Sequence, residues 1–111
     1  MYRITLNRIH DRVRITEGDE RLDLRVDDDP RRMMRGLTEA QRQMRGITVD
    51  ATPERMRDMA MLFAGTIFGA DQAAQLLEFY AGDASSVIDV CGRYFSERLS
   101  KLIAKAQKRM K

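Results

Sequence analysis

The side chains able to do chemistry are few and scattered. His10 beside Asp11 has the composition of an acid–base pair. Neighbouring residues of an extended segment or turn point apart, however, and no Ser, Cys or second base stands nearby. General acid–base catalysis needs a partner within hydrogen-bond reach, so His10 and Asp11 are expected in an ordinary turn. Cys91 falls among Val87, Tyr94 and Phe95 on an apolar face, the setting of a buried thiol; a reactive one wants exposure and positive charge. The run Asp27-Asp28-Asp29 lacks the spaced oxygen ligands and closing Glu of a calcium loop, and fits a turn that caps a helix. Gly65, Gly69 and Gly82 match neither a phosphate loop nor a dinucleotide fingerprint. Gly65, inside a helical pattern, is expected at a close helix contact.

With one His and one Cys in 111 residues, multi-His metal sites, all-Cys metal sites and internal disulfides are excluded. No nucleophile, base and orienting group can be assembled, so neither an enzyme nor a cofactor is expected. Two features point instead to binding. Six of the eight methionines, Met33, Met34, Met44, Met56, Met59 and Met61, lie between residues 33 and 61. Methionine packs cores, and it also suits surfaces that accommodate varied apolar partners. Met34 and Met61 fall off the apolar stripes of their helices, which places them nearer the surface as parts of a groove. Phe63 and Ile67 are expected in the core. The second feature is a basic C-terminus. After Glu97 there is no acid, while Arg98, Lys101, Lys105, Lys108, Arg109 and Lys111 follow. Such a stretch contacts phosphate backbones or simply solvates a helix end. No aromatic follows Phe95 to stack bases, and the net charge is only +3, so a nucleic-acid partner is the weaker reading.

The elements that must position these residues change period once. Residues 2–26 alternate apolar and polar, as half-buried antiparallel strands do. The pattern predicts a meander of Tyr2–Ile9, Arg12–Thr16 and Glu20–Val26, or a merger of the first two into one long irregular strand. Gly18 is suited to a tight turn. Asp29-Pro30 and Thr52-Pro53 are helix starts. Stripes then follow through Met33, Leu37, Ala40 and Met44, and through Met56, Met59, Ala60, Phe63 and Ile67. Gly46 is expected to end the first helix, with residues 47–51 as a linker. A short helix from Asp71 to Tyr80, with Ala74 and Leu77 inward, precedes a long last helix from Ser85 or Ser86. The expected fold is α+β and mainly helical: one domain over residues 1–111, with a β-meander in 1–28, helices in 29–111 and a basic tail in 98–111. Its most apolar stretch, Met59 to Ala70, is too short to span a bilayer, and the N-terminus lacks a signal-peptide pattern, so a cytoplasmic location is expected.

In this order of elements the chain resembles tail assembly chaperones of long-tailed phages. The resemblance rests on the N-terminal strands, the Asp-Pro entry into helices, and above all the Phe63 to Leu77 segment FAGTIFGADQAAQLL. In that family a helix ends in a Phe-Gly or Leu-Gly step, a short helix rich in small residues follows, then a polar break and a long final helix. Here the break is Gly82-Asp83-Ala84-Ser85-Ser86 and the last helix opens with Val87-Ile88-Asp89-Val90. The high Arg content and the Asp27–Asp29 run are not family hallmarks. The resemblance implies a non-enzymatic protein that binds the helical tape measure protein, keeps it soluble and helps recruit tail tube subunits. Self-association and a longer, frameshifted form are further implications.

Overall fold

The computed structural model describes residues 8–45 and 51–108. The chain is α+β and mainly helical. A two-stranded antiparallel hairpin, β1 (Ile9–Glu17) and β2 (Glu20–Asp28), precedes the helices α1 (Pro30–Arg45), α2 (Pro53–Phe68) and α3 (Ala70–Phe79). A last rod follows, made of α4 (Ala84–Tyr94), a π-helical turn (Phe95–Leu99) and α5 (Ser100–Lys108). The single change of period at Asp27–Pro30 is therefore where strands give way to helices.

Most of the expected first strand, with Gly46 and most of the 47–51 linker, lies outside the described residues. The expected break at His10-Asp11 does not occur. Both residues sit inside β1, paired with Asp27 and Val26 respectively. The turn is Gly18-Asp19, with φ of 61° at Gly18 alone. Positive φ only at the first central residue is the feature of a type II′ turn, whose twist suits a hairpin. The inward face of the ribbon carries Ile9, Val13 and Ile15 against Leu22, Leu24 and Val26. The free edge of β2 is covered by a side chain rather than a strand. Gln72 of α3 accepts a hydrogen bond from the Arg25 amide at 2.7 Å and donates one to the Arg25 carbonyl, also at 2.7 Å. Satisfying these groups blunts an edge that would otherwise template pairing.

Helices α1, α2 and α4 begin with side-chain caps, whereas α3 starts at Ala70 behind Gly69 with no side-chain cap, one residue before the expected Asp71. The Asp29 carboxylate accepts from the Arg31 amide at 2.9 Å, Thr52 Oγ1 from Arg55 at 3.2 Å, and Asp83 from Ser85 at 3.1 Å. Helix α3 ends in a Schellman pattern: the Ala81 amide bonds the Glu78 carbonyl and the Gly82 amide the Leu77 carbonyl, with Ala81 at φ 54°. Its inward face is set one residue earlier than the apolar pattern suggests. Ala73 and Leu76 are buried, Leu77, Phe79 and Tyr80 are half-buried, and Ala74 is exposed.

The close helix contact also sits elsewhere than expected. A side chain added at Gly65 would meet open space, whereas a Cβ on Gly36 of α1 would lie 2.6 Å from Thr66 Cγ2 of α2. Thr66 is held there by its hydroxyl, which donates to the Leu62 carbonyl at 2.8 Å. Gly36 is the residue that lets α1 and α2 approach.

The last rod needs its π turn because its buried residues are not evenly spaced. Val87, Cys91 and Tyr94 step by four and three, and the next buried positions are Leu99, Ile103 and Ala106. A gap of five in an α-helix would swing Leu99 well off the face. The π turn takes up the extra residue, its Ser100 amide reaching back to the Phe95 carbonyl. One core then runs from Ile9 to Ala106, with Phe68 and Tyr94 stacked at 5.7 Å between ring centres.

Cys91 lies fully inside this core, and burial pushes its thiol up to about 12. It is expected to react slowly with a thiol reagent in the folded protein and fast in urea. Equal rates in both states, followed by absorbance of the released chromophore, would mean the helix face is exposed.

Candidate binding groove

Helices α1 and α2 and the π turn enclose an apolar groove of about 410 Å³. Its apolar walls are Met34, Leu37 and Met44 of α1, Phe63 of α2 and Phe95 at the start of the π turn. Thr38, Gln41 and Arg45 form its polar rim. Met34, at 37% exposure, is the one exposed large apolar side chain among the described residues. The residues lining the groove include no acid, cysteine or histidine; its walls are apolar and its edge polar and cationic.

The structure divides the six methionines. Met34 and Met44 both line the groove. Met33, fully buried, and Met59 belong to the core and are closed to a partner. Met56 is half-buried near the start of α2. Met61 is half-buried too, but it lines a separate, wider depression with Arg32, Arg35 and Asp58. Phe63, expected in the core, is half-buried and serves as groove wall, while Ile67 is buried as expected. Phe95 was legible only as an apolar residue of the last helix; the π turn places it opposite α1.

The basic tail is also divided. Arg98 is engaged with β1: its Nε and Nη2 donate to the two Asp11 carboxylate oxygens at 2.5 and 2.7 Å. The Tyr94 hydroxyl donates to the same carboxylate at 2.7 Å. Asp11 shares its strand face with Ile9, Val13 and Ile15, and its side chain is 5% exposed. An inward acid on an apolar face needs such partners. The parity it shares with those residues was the signal for this clasp. Lys101, Lys105 and Lys108 are exposed on α5 at spacings of four and three, and Arg109 lies outside the described residues. The expected turn at Asp27-Asp28-Asp29 is not what forms. Asp27 and Asp28 end strand β2, opposite His10 and Ile9. Asp27 pairs with Arg8 at 2.9 Å and with His10 at 3.4 Å, and only Asp29 caps α1. Among the described residues there is no cluster able to hold a metal ion.

Hydrogen bonding to Arg98, against the opposing effect of burial, holds the Asp11 carboxyl below its ordinary value. Burial and the Asp11 bond push the Tyr94 hydroxyl up. A folded-state value below the unfolded one means that the clasp stabilises above the unfolded carboxylate pKa of about 3.9. That contribution fades as the pH falls through the lower folded value. Asp11→Asn is therefore expected to lower stability at pH 7 by about 1–2 kcal/mol. The gap to the unmodified protein should close as urea melts are repeated at pH values falling below 4. A gap that stays constant across that range would remove the clasp from the account.

No helix among the described residues is long and apolar enough to cross a membrane. No known protein family matches the chain, and neither does any curated protein or solved structure.

Proposed function

We propose that this protein is a non-enzymatic tail assembly chaperone of a long-tailed phage or prophage, which captures helical segments of the tape measure protein in the α1–α2–π-turn groove and assists tail tube assembly in the host cytoplasm. The observation that carries the reading is the groove itself, with Met34 exposed at its lip and Met44, Phe63 and Phe95 behind it. An amphipathic helix laid into such a groove buries an apolar stripe at i, i+3, i+4 and i+7. Methionine lets one groove fit successive, non-identical stretches of a long client, because its unbranched side chain repacks at low cost. The order of elements agrees with the resemblance on which the reading also rests: strands, two helices, the Phe68-Gly69 step into a short helix, the polar break and a long final rod. The test is co-purification of a co-expressed tape measure fragment with the full chain and with groove variants.

A further inference from the structure

The net charge of +3 hides an uneven surface. The outward face of the hairpin, over residues 8–16 and 21–27, presents five arginines against two acids; every side chain on it is exposed and none is apolar. The two acids are taken. Asp27 pairs with Arg8 and His10, and Asp23 lies 2.9 Å from Arg14 and 3.8 Å from Arg21. Arg12 and Arg25 stand directly opposite each other in the register, and among the described residues neither has an ion-pair partner. Their pairing is of the close kind. Gln72 takes both the amide and the carbonyl of Arg25 at the free edge of β2, so those groups point away from β1. Arg12 and Arg25 are thus a non-hydrogen-bonded pair, in which facing Cα atoms are about 4.5 Å apart and side chains stand closest. Like charges so placed cost stability, and an anion arriving between them relieves that cost.

The patch continues onto the last helix. Arg8, His10 and Lys105 line one depression where α5 lies beside β1. On α5, Lys101, Lys105 and Lys108 fall within about 60° of the helix circumference, and no acid follows Glu97. Arg8 to Arg14 alone spans about 20 Å at 3.4 Å per residue, too long for one phosphate or carboxylate. The exposed acids Glu17, Asp19 and Glu20 bound the patch at the turn. An extended polyanion fits this shape. The ribbon's outward face carries no Phe, Tyr or Trp to stack unpaired bases, which favours a duplex over a single strand. It also offers a protein partner no apolar centre to bury. The major groove of B-form DNA, about 12 Å wide, admits a two-stranded ribbon, whereas that of A-form RNA is deep and narrow. We propose that the outward face of the hairpin, together with the lysine row of α5, binds the phosphate backbone of double-stranded DNA, with Arg12 and Arg25 at the centre of the contact.

The probe is a fluorescently labelled DNA duplex, titrated with the full chain and followed by anisotropy. Affinity should be measurable at about 50 mM salt and fall about fortyfold or more by about 200 mM, as for three or more neutralised phosphates. Arg12→Gln together with Arg25→Gln should weaken binding at least about tenfold at low salt, and should flatten the slope of log K against log salt by about two, one for each lost cation. That variant should melt no lower than the unmodified protein, because it removes a facing like-charge pair. Lys101→Gln with Lys105→Gln should flatten the slope in the same way. Arg32→Gln with Arg35→Gln removes equal charge from α1 and should leave binding unchanged. No binding at low salt, or equal weakening by the α1 variant, would overturn the inference. A lower melting temperature for the Arg12, Arg25 variant would also overturn it, since the pair would then be structural. So would tighter binding of duplex RNA or of single-stranded DNA of the same length, or displacement of the duplex by polyglutamate at equal charge, since the occupant would then be another polyanion.

Discussion

Leu24→Ala is expected to lower the stability of the folded chain by about 3 kcal/mol, enough to threaten a domain whose total is about 5–15 kcal/mol. Leu24 is 1% exposed on the inward face of β2 and belongs to the core shared by the hairpin and the helices. A two-stranded hairpin is marginal alone, so its stability comes from that packing. Truncating Leu24 removes the transfer free energy of its side chain and leaves a cavity between ribbon and helices. Leu22→Ala, on the same face but half-buried, should cost clearly less. Urea denaturation by circular dichroism measures both. Similar small losses for the two would show that the ribbon is not held by its inward face.

The second large effect concerns binding rather than folding. Met34→Gln together with Met44→Gln is expected to weaken capture of a tape measure helix by about tenfold or more, while stability changes by less than about 1 kcal/mol. Met34 is already exposed and Met44 half-buried, so neither substitution opens a cavity in the core. Each places an amide where a client's apolar stripe would sit, and that amide must lose water without gaining a partner. Thermal melting and anisotropy with a labelled tape measure segment separate the two quantities. Large destabilisation with unchanged affinity would assign both side chains to packing alone.

Local chemistry made much of the fold legible. The shift from period two to helical spacing at Asp27–Pro30 marks where the sheet ends, because Asp-Pro both caps and starts a helix. Thr52-Pro53 acts in the same way. What escaped is non-local. Asp11 looked like part of a turn because a charge seemed to break the strand; its partners Tyr94 and Arg98 lie more than eighty residues away. Gln72 satisfies a strand edge 47 residues earlier, which no periodicity encodes. The π turn hides in a spacing of five between Tyr94 and Leu99, a gap that also fits an irregular apolar face. The contact glycine is Gly36, not Gly65, since the identity of the crossing point depends on how two helices meet. For the same reason the clustered methionines do not trace the groove, whose walls include residues 34, 44, 63 and 95 brought together by three elements.

The most direct test of capture in the groove is co-expression of the full chain with a tape measure fragment, followed by affinity purification of the chain. The unmodified protein should hold the fragment in the soluble fraction, and so should Met61→Gln, because Met61 lines the other depression. The double variant Met34→Gln, Met44→Gln should be recovered folded but without the fragment. Retention of the fragment by the double variant at the unmodified yield, or failure of the unmodified chain to hold any fragment along the tape measure protein, would contradict the account.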